Sequence, residues 1–266
     1  MSDLFSVEAV IRRRLLVNFR VRPDVLEEIL PPPFEPRLVS GWGMAGICLI
    51  GLGNLRPEGV PAVLGLRTEN AAHRIAVEWT DEIGRRQGVY IPHRDTNSRL
   101  VRALGGRLFP GLYRPGTFSI HEDQGYISVR VDTSDGQTSA FVCGHVSDRL
   151  AEGSIFESLD EASKFFEVGN LGFSPSADSN RLDGLELLSK WWEVQSLRVD
   201  TVESGFFGNT HLFPIGSIEF DSALIMRGIP CRWRSHGWIP GGQVQSSDKA
   251  LSANEAETSS KLKLSN

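Results

Sequence analysis

The stretch SVEAVIRRRLLVNFRVRPDVLEEILPPPFEP, residues 6–36, decides the fold. Its first part, residues 6–22, mixes apolar and basic positions with a period close to two, which is typical of a β-strand with one buried face. Pro23 suits the first turn of a helix, and the apolar residues that follow have helical spacing until three prolines at 31–33 end it. A long strand, a short helix and a proline turn are therefore predicted to open the domain.

Further strand candidates recur at short spacing along the chain, with Gly, Asp or Pro between them. They are residues 41–53, 60–66, 73–80, 85–92, 117–122, 126–133, 138–146, 191–199 and 231–239, and short helices fit at 96–104 and 158–167. This pattern predicts a mainly β protein of the α+β class, with an antiparallel sheet closed or nearly closed into a barrel. We expect a single domain over residues 1–242, followed by a disordered tail over 243–266, which has no aromatic residue.

The composition narrows the function classes. Lys and Arg number 28 against 33 acidic residues, a formal net charge of -5, which disfavours nucleic acid or an anionic membrane as partner. The three cysteines are far apart and form no CxxC pair, and no apolar run reaches the length of a secretory core or a membrane span. We expect a soluble protein of the reducing cytoplasm.

Two short motifs suggest ligand sites. GWGMAG, residues 41–46, has the GxGxxG spacing, but a strand pattern follows it instead of the helix that a dinucleotide site needs, so close packing is favoured. In RRR, residues 12–14, a regular strand would turn Arg13 to the face opposite Arg12 and Arg14. The arginines then form a solvated strand face, or one of them turns inward toward an anion.

The segment GVYIPHRDTNSRL, residues 88–100, begins as a strand and breaks at Pro92. His93 and Asp95 are two positions apart, a spacing that allows an acid–base pair but is also common in charged connectors. A catalytic metal site usually needs three protein ligands, and no third can be assigned. We therefore predict neither a metal nor a cofactor.

Four ordered segments carry a family resemblance. Residues 17–36, 41–52, 56–66 and 88–120 resemble the YqjF-like family of bacterial proteins, and the match covers about residues 10–135. That family is similar to the acetoacetate decarboxylases, so the resemblance implies a cone-shaped, largely antiparallel β-barrel with a central pocket. It also implies that Arg12 occupies the place of a pocket arginine and Glu58 that of a pocket glutamate.

The same resemblance raises a difficulty for decarboxylase chemistry. Those enzymes carry their Schiff-base lysine in a paired-lysine segment, and the corresponding stretch here, PHRDTNSR at 92–99, has none. Arginine cannot replace it, because the guanidinium stays protonated and is a poor nucleophile. Schiff-base chemistry would require Lys164 or Lys190 to reach the pocket from elsewhere in the chain.

Three hypotheses follow. In the first, the barrel binds a small carboxylate or related organic anion, with Arg12, Arg94 or Arg99 on the anion and Glu58 or His93 on its other end. In the second, the protein is a lyase or isomerase acting on a small keto or hydroxy acid, with His93 as base, Asp95 orienting it and an arginine stabilising an enolate. In the third, it is a structural or homo-oligomer-forming barrel with a filled core.

Overall fold

The computed structural model describes residues 6–105 and 110–241. Its helices are α1 (Pro23–Ile29), α2 (Arg99–Leu104) and α3 (Leu159–Glu167), and a 3₁₀ turn covers Ala62–Leu64. Its strands are β1 (Ser6–Val21), β2 (Glu35–Pro36), β3 (Leu38–Val39), β4 (Trp42–Pro57), β5 (Leu66–Asp81), β6 (Gly84–Thr96), β7 (Arg114–Pro115), β8 (Thr117–Asp123), β9 (Tyr126–Asp132), β10 (Ala140–Ser147), β11 (Leu171–Pro175), β12 (Arg181–Ser189), β13 (Gln195–Ser204), β14 (Ile218–Met226) and β15 (Ile229–Pro240). The predicted opening of a long strand and a short helix is confirmed by β1 and α1.

The long strand β1 organises the whole sheet. Along one edge it pairs with β4; along the other, residues 6–11 pair with β15 and residues 14–21 with β14. The ring β1-β4-β5-β6-β11-β12-β15 therefore closes into a seven-stranded barrel, while β14-β13-β10-β9-β8 extends from the second half of β1. The predicted closed β-sheet is confirmed, although it is mixed, because β6 and β11 run parallel.

A bulge in β1 decides which arginine enters the barrel. Between Ile11 and Arg13, β1 advances two residues while β4 advances one, so Arg12 is the extra residue. The side chains of Arg12 and Arg13 both bind Glu69, whereas Arg14 faces the barrel interior. The predicted alternation, with Arg12 and Arg14 on one face, is wrong because a bulge shifts the direction of every following side chain by one position.

The strands β1, β4 and β5 have buried side chains on both faces, and the two faces belong to two separate hydrophobic cores. One lies inside the barrel and includes Phe165 and Phe166 of α3. The other packs the opposite faces of β1, β4 and β5 against β9, β10 and the aromatic residues Phe206, Phe207 and Phe213. Each of these three strands therefore has two sets of buried side chains with different neighbours.

The remaining predictions can be placed on this fold. The helices expected at 96–104 and 158–167 are α2 and α3, with Ser98 and Ser158 as N-caps. The strand expected over residues 60–66 is wrong, since residues 62–64 form a 3₁₀ turn in which Val63 is 88% exposed. The predicted tail, residues 243–266, lies outside the described residues. None of the described helices has the length and apolarity that crossing a membrane requires.

Candidate functional site

A cavity of about 130 Å³ lies inside the seven-stranded barrel. Its walls are mostly apolar and include Ile50, Leu52, Val89, Leu185, Leu187 and Trp233. Among the described residues that line it, the charged side chains are Arg14, Arg74 and Arg94, and no aspartate or glutamate is present. Since an apolar cavity of roughly 150 Å³ can hold benzene, this cavity has room for a ligand of a few heavy atoms.

The register of three strands places Arg74. Asn18 on β1, Gly46 on β4 and Arg74 on β5 lie side by side across the sheet. Because Gly46 has no side chain, the Nη2 of Arg74 can cross β4 and donate a hydrogen bond to Oδ1 of Asn18 at 2.7 Å. A Cβ at Gly46 would lie 2.2 Å from the carbonyl oxygen of Val17, so the close approach of β1 and β4 requires glycine there.

Arg74 is a buried cation that pairs with no carboxylate among the described residues. The residue is 6% exposed, its guanidinium lies 4.9 Å from the centre of the Phe166 ring, and its Nε has no hydrogen-bond partner in the described part of the chain. Burial, with a further contribution from the charge of Arg14, lowers the pKa of Arg74 to about 10. A charge in this environment is costly unless a counter-ion offsets it.

Arg14 and Arg94 are held through their Nε atoms. Nε of Arg14 donates to Sγ of Cys48 at 3.2 Å, and Nε of Arg94 donates to Oγ of Ser174 at 2.8 Å. Tyr113 also lies beside Arg94, with its ring centre 5.7 Å from the guanidinium carbon. Within residues 6–105 and 110–241, neither arginine forms an ion pair, and both line the cavity.

The structure distributes the predicted binding residues over separate places. Arg94 lines the cavity, as the first hypothesis requires. Arg12 is bound to Glu69, and Arg99 is an exposed residue of α2. Glu58 pairs with Arg232 at 2.8 Å, and its side chain is 45% exposed. Because Arg12, Arg99 and Glu58 do not line the cavity, the geometry gives no support to their predicted roles.

A second bulge separates His93 from the cavity. The strand β6 continues through Pro92 to Thr96, and it advances three positions from Tyr90 to His93 where β5 advances two. After this bulge Arg94 points into the barrel, and the ring of His93 packs 5.1 Å from that of Phe206 in the other core. Burial lowers the pKa of His93 to about 4, with Arg114 contributing.

Asp95 is buried beside His93 but has other partners. Its Oδ1 accepts a hydrogen bond from Oγ1 of Thr138 at 3.1 Å and lies 3.4 Å from Nε of Arg114. Burial raises the pKa of Asp95 to about 6. Among the described residues no hydrogen bond joins His93 and Asp95, and no group of three His, Cys, Asp or Glu could hold a metal. The geometry therefore does not form the acid–base pair that the sequence suggested.

Comparison with known proteins places the chain in a family. Residues 8–212 match the model of DUF2071, an uncharacterized conserved protein. The chain belongs to this family. No curated protein matches it.

Solved structures similar to this DUF2071 chain have the acetoacetate decarboxylase-like fold. Acetoacetate decarboxylase from Legionella pneumophila has a TM-score of 0.61 at 14% identity, covering 88% of this chain and 87% of that one. An acetoacetate decarboxylase-like enzyme from Sphingomonas wittichii has 0.57 at 15%, covering 90% and 94%. The enduracididine biosynthesis enzyme MppR, in complex with pyruvate, has 0.59 at 11%, covering 91% and 92%. The resemblance inferred from the sequence is confirmed.

The DUF2071 chain has this fold without a lysine at the cavity, as far as its described residues extend. Lys164 is an exposed residue of α3 whose Nζ lies 2.6 Å from Oδ2 of Asp160. Lys190 is exposed just after β12. Neither of the two lysines that Schiff-base chemistry would require at the pocket lines the cavity.

Sequence reasoning missed Arg74 and Cys48, and it did not single out Arg14 among the three arginines at 12–14. Arg14 was hidden by the bulge, which depends on the pairing of β1 with β4. Arg74 carried a signal, since it lies within the strand pattern HRIAVEWT, between alanines at 72 and 76 that share its face. A charged residue between two alanines on one strand face is a signal of a buried ion.

Proposed function

We propose that this protein binds a small organic anion, a carboxylate, in the barrel cavity. The observation that carries the proposal is the charge of the lining: three arginines from β1, β5 and β6, with no acidic side chain among the described lining residues. Arg14, Arg74 and Arg94 act as the anion-binding groups. The apolar wall contacts the rest of the ligand.

Electrostatics favours an anion at this place. Buried cations interact more strongly with an opposite charge than solvated ones do, because the surrounding protein screens the charge less than water. An anion should stabilise Arg74 most, since this residue is buried, its Nε lacks a partner in the described chain, and Arg14 lies near it. A carboxylate accepts charge-assisted hydrogen bonds from guanidinium groups, often two at a time.

Size and wall chemistry restrict the ligand further. A volume of about 130 Å³ suits an acid of about six heavy atoms, and the aliphatic wall suits a short apolar body. Small 2-oxo and 2-hydroxy acids meet both conditions. The complex of the structural neighbour MppR with pyruvate supports this class of ligand, since pyruvate is a carboxylate of that size.

The other two hypotheses have less support. Acid–base catalysis by His93 on a ligand in the cavity would need its ring inside the barrel, and the ring lies on the opposite face of β6. A filled structural barrel would leave no room for a ligand, whereas the cavity has about 130 Å³.

A thermal-shift panel tests the proposal. Pyruvate, lactate and acetoacetate are compared with the neutral lactamide, and wild type with Arg74→Met and with Arg99→Met, an exposed arginine outside the cavity. An acid at about 100 times its Kd should stabilise wild type and Arg99→Met by roughly 2.7 kcal/mol, and Arg74→Met far less. Equal stabilisation by lactamide, equal stabilisation of Arg74→Met, or no stabilisation by any acid would overturn it.

A further inference from the structure

Cys48 brings a nucleophilic atom to the same cavity. It lies on β4, between β1 and β5, is 7% exposed and lines the cavity. Its sulfur accepts the hydrogen bond from Nε of Arg14 at 3.2 Å. A cationic donor beside sulfur stabilises the negative charge that the atom carries when it acts as a nucleophile.

A second observation links this sulfur to a ligand. Arg74 lines the same cavity, is 6% exposed, and has an Nε without a hydrogen-bond partner in residues 6–105 and 110–241. Arg74 lies on β5 two positions beyond Ala72, which pairs with Cys48 on β4. The cavity thus combines a thiol with a buried, incompletely bonded cation.

The other cysteines have different surroundings. Sγ of Cys231 lies 3.5 Å from the carbonyl oxygen of Ala9, and burial raises the pKa of this thiol to about 12. Cys143 is buried on β10. Neither is among the residues that line the cavity. Cys48 alone of the three cysteines combines cavity access with an arginine hydrogen bond.

We propose that Cys48 is a nucleophile that adds to the C2 carbonyl carbon of a small 2-oxo acid held by Arg14 and Arg74. This inference rests on the proposed anion site. In the step, the S–H bond breaks, an S–C2 bond forms, and the carbonyl oxygen takes up the proton released from sulfur. The product is a thiohemiketal, and the addition needs no other reactant.

The contacts of Arg14 explain why a 2-oxo acid fits. Its Nε holds the sulfur, so a carboxylate bound by the other nitrogens of the same guanidinium is brought close to Cys48. In a 2-oxo acid, the electrophilic carbon is attached directly to that carboxylate. One arginine therefore positions both the nucleophile and the anion, which is how proximity accelerates addition.

Alkylation of the wild-type chain tests the nucleophile without any substitution. Iodoacetate is a carboxylate and iodoacetamide its neutral analogue; each forms an S–C bond with loss of iodide. Peptide mass spectrometry gives the rate at Cys48 in the folded protein and in the urea-unfolded chain. We expect the iodoacetate-to-iodoacetamide rate ratio at Cys48 to be at least about tenfold higher in the folded protein, because a cationic cavity concentrates anions. An equal ratio, or no alkylation of folded Cys48, overturns the proposal.

Carbon-13 NMR with [2-13C]pyruvate tests the adduct. Wild type and Cys231→Ala should convert part of the bound pyruvate to a tetrahedral carbon signal distinct from that of pyruvate hydrate, and Cys48→Ala should not. Absence of the signal from wild type, or its presence in Cys48→Ala, overturns the addition. If pyruvate still stabilises wild type and Cys48→Ala equally, the anion site stands and only the covalent step fails; if no acid stabilises wild type, the anion site itself fails.

Discussion

His93 and Arg94 are adjacent in the chain but face opposite sides of β6. Arg94 lines the barrel cavity, and the ring of His93 lies 5.1 Å from that of Phe206 in the other core. The two residues therefore belong to different chemical environments. Arg94 faces the cavity that we propose as the anion site, whereas His93 packs in the other core.

Replacing His93 should flatten the dependence of stability on pH. The folded pKa is about 4 and the ordinary value is 6.5, so between these values the unfolded state binds more protons and the free energy of unfolding falls as the pH is lowered. In His93→Gln this contribution disappears. Urea unfolding at several pH values between 4 and 6.5 should show that the unfolding free energy of His93→Gln rises with pH less steeply than that of wild type, by up to about 1.4 kcal/mol per pH unit. Coincident slopes for the two proteins would contradict the burial of a neutral His93.

Replacing Asp95 should have the opposite effect. Its folded pKa of about 6 exceeds the ordinary value of 3.8, so in this window the folded state binds more protons and the carboxyl group lowers stability as the pH rises. Asp95→Asn should therefore show a steeper increase of unfolding free energy with pH than wild type. Urea unfolding of both proteins at the same pH values measures this difference. A shallower increase in the variant would show that the carboxyl group titrates below its ordinary value.

Glu69 should matter for stability but not for ligand binding. It binds Arg13, whose side chain is 4% exposed, and Arg13 keeps a second partner in Glu122. Glu69→Gln should lower the unfolding free energy by roughly 2–3 kcal/mol, since it leaves a buried charge less compensated. Glu219→Gln, which breaks the exposed pair with Arg20, is the control and should cost less than about 1 kcal/mol. A similar loss of unfolding free energy in both variants would show that the Arg13–Glu69 pair contributes no more than an exposed ion pair.

Borohydride reduction should not trap a Schiff base at the described lysines. Lys164 and Lys190 lie outside the cavity and are exposed. With pyruvate and borohydride, peptide mass spectrometry should show both lysines modified no faster in the folded protein than in the urea-unfolded chain. Selective modification of either lysine in the folded state would restore decarboxylase-type chemistry as a hypothesis.

Local patterns predicted the elements better than the directions of their side chains. The alternation in residues 6–22 and the prolines at 23 and 31–33 identified β1 and α1, because these signals act within a few residues. The bulges at Arg12 and before His93 arise from the pairing of β1 with β4 and of β6 with β5, which patterns within a few residues do not specify. They decided which of Arg12, Arg14, His93 and Arg94 enter the barrel, so the sequence could not assign the site.

The segment at 60–66 illustrates the same limit. Its two valines and two leucines suggested a strand, but Val63 and Leu64 lie exposed in a 3₁₀ turn. Apolar composition predicts a strand only when a neighbouring strand supplies hydrogen bonds and a core supplies burial. Both conditions depend on the rest of the fold.

The most direct test of the anion site is a crystal structure of the wild-type protein grown with the acid that gives the largest thermal shift. The account predicts ligand density in the barrel, with the carboxylate within hydrogen-bond distance of Arg14, Arg74 or Arg94 and the rest of the molecule against the aliphatic wall. A ligand bound elsewhere, or bound in the barrel with its carboxylate away from all three arginines, would contradict it.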